Sequence, residues 1–133
     1  MKYILDTNAI SLLMREDAPM LVWLASVRED DRIVLCPISR GEILYGVRRL
    51  AVGRRRDWLE AKAQEIFSVL QSEPIPIRAG DLYAEIKIAC QSRGLVLDEN
   101  DLWIAASAMV LGATLVTRDS DFSGIEALSV IRP

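Results

Sequence analysis

The sequence predicts an α/β domain built on a mainly parallel sheet. Three observations predict it. Short apolar runs of strand character alternate with amphipathic runs of helical character along the whole chain. No long linker or internal repeat interrupts that alternation. The length, 133 residues, suits a single domain, 1–133, with one core.

The elements follow in order. Residues 2–5 (KYIL) read as a short central strand, stopped by Asp6, Thr7 and Asn8, all good helix-capping residues. A short helix is expected over 9–14 and another over 19–27, with Pro19 in its first turn. Residues 33–36 (IVLC) are a second strand. The helix over 39–52 opens with Ser39 and Glu42 at capping-box spacing. Ile43, Leu44, Val47 and Leu50 form its apolar stripe, while Gly41 and Gly46 weaken it and are expected to allow close backbone approach. A basic turn over 53–56 precedes a helix over 58–70. Residues 74–77 (PIPI) read as an edge strand, because proline cannot donate to a ladder.

A helix over 79–91 and a loop around Gly94 lead to the most informative stretch, 98–122. There Asp101 opens an Ala-rich helix, and Gly112 closes it in the left-handed position. Residues 113–117 (ATLVT) then read as a buried strand, followed by Asp119 and Asp121. Residues 128–131 (LSVI) close the sheet.

Composition narrows the chemistry. The chain has no histidine, which excludes Ser-His-Asp catalysis and histidine-ligated metals. Cys36 and Cys90 lack metal-type spacing and read as core residues of a protein in a reducing cytosol. No apolar run approaches the length of a membrane span, and the N-terminus does not read as a signal peptide, so a cytoplasmic protein is expected. The chain is 51% hydrophobic, and the surplus apolar surface is expected to be covered in a homo-oligomer or partner interface. A net charge of −3 argues against indiscriminate nucleic-acid binding. Arginine is concentrated, however, in Arg48, Arg49, Arg54, Arg55 and Arg56, and its planar fork suits phosphate.

The acids point to a site. In a parallel sheet all carboxyl ends lie on one side, where ligands bind. Asp6, Glu42 and Asp119 each follow a strand on that side, and Asp101 begins a helix packed on the sheet. Read locally, Asp6 is also an N-cap and Glu42 half of a capping box. Read together, four acids at four matching positions would repel one another unless a hard cation, Mg²⁺ or Mn²⁺, joined them. Such an ion can activate water against a phosphodiester. Thr7, Asn8, Ser39 and Thr117 are neutral groups able to orient ligands or water.

Four segments carry a family resemblance: LDTNAIS (5–11), SRGEILYGV (39–47), NDLWIAASA (100–108) and TLVTRDSDF (114–122). Together, in this order, they resemble the PIN-domain family and, within it, the VapC-type toxins of bacterial toxin–antitoxin pairs. The resemblance implies a three-layer α/β/α sandwich, Mg²⁺- or Mn²⁺-dependent endoribonuclease activity leaving a 5′-phosphate, a homodimer, and inhibition by a small VapB-type antitoxin. Transfer RNA is the family's common target. Carried over residue by residue, the resemblance implies a site of Asp6, Glu42, Asp101 and Asp119. Asp6, Asp101 and Asp119 would bind metal, with Glu42 or Asp121 as further ligands, and Asp98 as a helix-entry or solvent-facing acid. Arg118 and the arginines of 48–56 are candidate contacts to RNA or to an acidic antitoxin segment. Two rival α/β classes fit less well. A phosphoacceptor receiver would need paired acids after the first strand and a late lysine. A haloacid-dehalogenase-type phosphatase would need Asp-x-Asp, and Asn8 breaks that pattern. A non-catalytic metal-binding regulator is separated from a nuclease by whether RNA is cut.

Overall fold

Side-chain alternation along three short strands divides the protein into layers. Strand β1 is Lys2–Leu5 and β2 is Arg32–Leu35. In the computed structural model, which describes residues 1–133, Ile4 and Val34 join one apolar cluster while their neighbours Leu5 and Leu35 join a second. Leu115 and Val116 divide in the same way, because successive strand side chains leave opposite faces. All six are at most 1% exposed. Truncating any of them, as in Leu115→Ala, costs roughly 2–5 kcal/mol.

The second cluster is roofed by helices α1 (Thr7–Met14), α2 (Ala18–Ser26), α3 (Pro37–Arg48) and α4 (Arg54–Val69). The first is covered by α5 (Ala79–Ser92) and α6 (Glu99–Val110). Strands β3 (Gln71–Ser72), β4 (Thr114–Val116) and β5 (Val130–Ile131) complete a five-stranded sheet in the order β3-β2-β1-β4-β5. Every pairing is parallel. The result is the expected three-layer α/β/α sandwich. The chain winds outward from β1 through β2 to β3, then crosses back to β4 on the other side of β1. The switch point of the sheet therefore lies between β1 and β4, where such folds open a crevice.

Helix ends follow their capping chemistry. The Asp17 side chain accepts the Met20 amide at 3.1 Å to start α2. Gly112, at φ 62°, ends α6; the amides of Gly112 and Ala113 reach the carbonyls of Met109 (3.2 Å) and Ala108 (2.9 Å). That is a Schellman closure, and it turns the chain straight into β4.

Four local expectations are corrected. The edge strand is not 74–77 but β3, because Pro74 and Pro76 carry no amide hydrogen to give a ladder. Helix α4 starts at Arg54, absorbing the expected basic turn, because arginine is a good helix former and Gly53 serves as its N-cap. Helix α3 starts at Pro37, so Ser39 lies inside it rather than at its cap, and the Ser39–Glu42 capping box does not form. Gly41 and Gly46 bring no backbone close: a Cβ placed on either meets nothing within 4 Å. No helix is long and apolar enough to cross a membrane.

Candidate metal centre

The switch point gathers carboxylates. Asp6 leaves the end of β1 and is only 3% exposed. One of its oxygens caps α1, accepting the Ala9 amide at 2.7 Å. The other accepts the hydroxyl of Thr117, just past the end of β4. Thr117 in turn accepts the Asp119 amide at 2.9 Å. A single hydroxyl thus ties the ends of the two strands that flank the switch point. Asn8 braces the same loop, its side-chain oxygen accepting the Arg118 amide at 3.0 Å. Asp6 is accordingly both an N-cap and part of the acidic corner.

Glu42 reaches the corner from α3, and the Thr7 hydroxyl donates to it at 2.6 Å. Asp101 arrives from the first turn of α6. That helix begins two residues before Asp101, with Asp98 as its cap accepting the Asn100 amide at 2.9 Å. Asp119 caps the short 3-10 turn Ser120–Gly124 by accepting the Asp121 amide at 2.9 Å. The turn brings Asp121 back, so that carboxylate oxygens of Asp101, Asp119 and Asp121 all lie within 4.8 Å of one another.

This geometry drives the acids' protonation. Burial pushes Asp6 up to about 6, against the relief given by Thr117 and Ala9, with Asp119 and Glu42 adding repulsion. Burial pushes Asp101 up to about 7, and the charges of Asp119, Asp98, Glu42 and Asp6 add to it. No lysine or arginine forms an ion pair with Asp6, Glu42, Asp101, Asp119 or Asp121. An all-oxygen donor set with no protein countercharge fits a hard divalent cation.

The arginines divide. Arg48 is paired with Glu60 at 2.7 Å. Arg49 lies 5.8 Å from the centre of the Tyr45 ring and has no acidic partner. Arg54 and Arg55 are exposed on the first turn of α4, with Arg56 half-buried beside them. Arg118 is already engaged: its guanidinium grips both oxygens of Asp17, at 3.1 and 2.6 Å, and its Nε donates to the Pro133 carbonyl at 2.7 Å. Any contact it makes to RNA or to an antitoxin would be made from this paired position.

Sequence reasoning passed over three residues. Asp17 holds Arg118 across 101 positions, which no local pattern encodes. Tyr45 and Asn100 line a cleft of about 610 Å³ that begins at Thr7 and Glu42. For Tyr45 a signal was available: it shares a helical face with Glu42, at three residues' spacing.

The family model described as PIN domain matches residues 3–128. The chain belongs to the PIN-domain family. Its PIN domain is 27% identical to the VapC ribonuclease Y4jK of Sinorhizobium fredii, over 98% of this chain and 96% of that protein. It is 28% identical to the toxin FitB of Neisseria gonorrhoeae over the same shares. Among solved structures it resembles a chain of VapBC2 from Rickettsia felis bound to a promoter DNA fragment. That match has a TM-score of 0.89 and 25% identity, covering 99% of this chain and 98% of that one. A chain of FitAcB from Neisseria gonorrhoeae matches with a TM-score of 0.84 and 26% identity, over 97% and 96%.

Proposed function

We propose that this PIN domain is a Mg²⁺- or Mn²⁺-dependent endoribonuclease, the toxin of a VapBC-type toxin–antitoxin pair, inhibited by a VapB-type antitoxin. One observation carries the reading: the carboxylates of Asp101, Asp119 and Asp121 converge beside the β1/β4 switch point, Asp6 and Glu42 lie near enough to add repulsion, and none of the five is paired with a lysine or arginine. The similarity to proteins named VapC ribonuclease and to VapBC complexes supports it.

Asp6, Asp101 and Asp119 would hold the cation, with Asp121 in reach and Glu42 alongside. When bound, it supplies an acidified water and positive charge for the phosphoryl oxygens. The chain's own groups do the rest. The Ala9 amide and the Thr117 hydroxyl hold Asp6 in a single orientation. The Thr7 hydroxyl holds Glu42, which receives the proton of the attacking water. Asp101, its carboxyl pushed up to about 7, would have to be deprotonated to hold the cation. In-line attack at phosphorus leaves a 5′-phosphate and a 3′-hydroxyl.

The proposed substrate is transfer RNA. Leu21, Val22, Trp58 and Val69 are exposed on α2 and α4, which supports an antitoxin or a second protomer covering that apolar surface. The test is transcriptome-wide mapping of new 5′ ends after brief expression of the wild type and Asp101→Asn. New ends at one or a few sites, absent with the variant, are expected and name the target. Identical maps would favour a metal-binding regulator that cuts nothing.

A further inference from the structure

The glycines of α3 have no internal explanation. In mid-helix each is about 1 kcal/mol worse than alanine. Neither makes room for another part of the chain, since a Cβ on Gly41 or Gly46 would meet nothing within 4 Å. Both stand on one helical face with Glu42, Tyr45 and Arg49, while Ser39, Ile43 and Val47 turn the opposite face to the core. That open face forms one wall of the cleft of about 610 Å³, and Asn100 of α6 lies across it. The volume falls within the roughly 300–1,000 Å³ of ordinary ligand sites.

The lining has a chemical direction. At one end stands Glu42, held by Thr7 and part of the acidic corner. Along the floor come the two bare glycine positions and Tyr45, which is 69% exposed despite the apolar area of its ring. At the far end is Arg49, near the Tyr45 ring and without an acidic partner, unlike its neighbour Arg48. Acid for a cation, an open aromatic face, an amide side chain and a free guanidinium follow one another along the cleft. Single-stranded RNA presents a matching series: a scissile phosphate, a base that stacks, a base edge or 2′-hydroxyl, and the next phosphate.

We propose that this cleft is the subsite for the nucleotide adjoining the scissile phosphate. The inference rests on the ribonuclease reading and deepens it. Tyr45 stacks on the base, Asn100 hydrogen-bonds its edge or its ribose, and Arg49 meets the following phosphate. Gly41 and Gly46 keep the floor low enough for the sugar–phosphate chain to lie against the helix.

The test uses the full chain and a fluorescein-labelled single-stranded RNA 12-mer of mixed sequence, followed by anisotropy with Mg²⁺, alongside cleavage of the mapped target. Tyr45→Ala is expected to weaken RNA binding roughly 5- to 100-fold, the range for removing an aromatic ring that stacks on a base. Tyr45→Phe is expected to stay near wild type. Gly46→Gln places a side chain on the floor, where its Cβ meets nothing within 4 Å. It is expected to hold or raise the melting temperature while weakening RNA binding at least about fivefold. Wild-type affinity in both Tyr45→Ala and Gly46→Gln would overturn the subsite while leaving the ribonuclease reading standing. A parent protein that neither binds nor cuts RNA would overturn both. Sedimentation on the same samples covers the remaining occupant. Loss of RNA binding that appears only where a dimer has become a monomer would assign this face to a second copy instead.

Discussion

Asp17 and Asp101 make an instructive pair. Each lies at the start of a helix, each is half-buried, and both are within reach of the loop that follows β4. Asp17 is gripped by the Arg118 guanidinium, which holds its carboxyl below the usual range. Asp101 has no such partner, and burial with its acidic neighbours pushes it up to about 7. The contrast is sharper because Arg118 directly precedes Asp119. An arginine stands in the very loop that builds the acidic corner, yet it is turned away and tied to Asp17 and the Pro133 carbonyl. Charge is neutralised at Asp17 and left unbalanced at the corner proposed to take a cation.

The largest way to break this comparison is Asp6→Asn. Asparagine caps α1 as well as aspartate does, so the fold should hold. Cleavage of the mapped RNA is expected to fall on the order of 10³-fold or more. An active Asp6→Asn protein would sink the assignment.

Protonation gives the next effect. A carboxyl raised from 3.8 to about 6 or 7 binds its proton more tightly in the folded state. Its contribution is therefore neutral below about pH 4, grows more destabilising as pH rises from there to the raised value, and is at its full cost above it. For buried Asp6 the full loss is on the order of 3 kcal/mol. Metal-free protein in chelator should thus melt lower at pH 8 than at pH 5.5, and Mn²⁺ should restore the loss at pH 8. Under the same conditions Asp6→Asn should melt higher than wild type. A pH-independent melting temperature would remove the case for unbalanced charge.

A smaller effect tests the other member of the pair. Asp17→Asn frees Arg118, and a guanidinium near a carboxylate competes with a metal for it. Mn²⁺ affinity by titration calorimetry is expected to drop about 3- to 10-fold, with Asp17→Asn/Arg118→Gln recovering it. The least effect is expected from an Arg54/Arg55/Arg56 triple alanine variant. If these arginines meet phosphate, the slope of log affinity against log salt should fall by roughly one for each phosphate no longer neutralised. If they meet the antitoxin, only antitoxin binding should weaken.

The sequence was most legible where local chemistry and topology agree. Asp6 and Asp119 follow strands, Asp101 lies in the first turn of a helix that Asp98, not Asp101, opens, and Thr7 and Thr117 sit beside them, so alternation was enough to direct them to one edge. Gly112 was readable because a left-handed turn has few alternatives to glycine. What escaped depends on long-range pairing or on counting hydrogen bonds. A two-residue strand such as β3 has no pattern of its own, and the prolines nearby looked more extended than the Gln71–Ser72 pair that bonds. The partner of Arg118 lies 101 positions away. Asp121 was named as a further ligand, but the 3-10 turn capped by Asp119 that brings it within reach was not foreseen. Tyr45 was passed over and the helical glycines read as room for close backbone approach, until the structure showed that their face is bare.

The strand order has a consequence for synthesis. Asp6 is made well before its partners: Thr117, whose hydroxyl it accepts, and its neighbour Asp119 come 111 and 113 positions later (117 − 6 and 119 − 6). At about 5–20 residues per second, Asp119 leaves the peptidyl-transferase centre roughly 6 to 23 seconds after Asp6. Even then, Thr117 must wait for Ile131, whose carbonyl receives its amide at 3.1 Å. The acidic corner therefore cannot be completed until the chain has been made through Ile131. A growing polypeptide, still tethered among the RNAs of the ribosome that makes it, carries only fragments of the site.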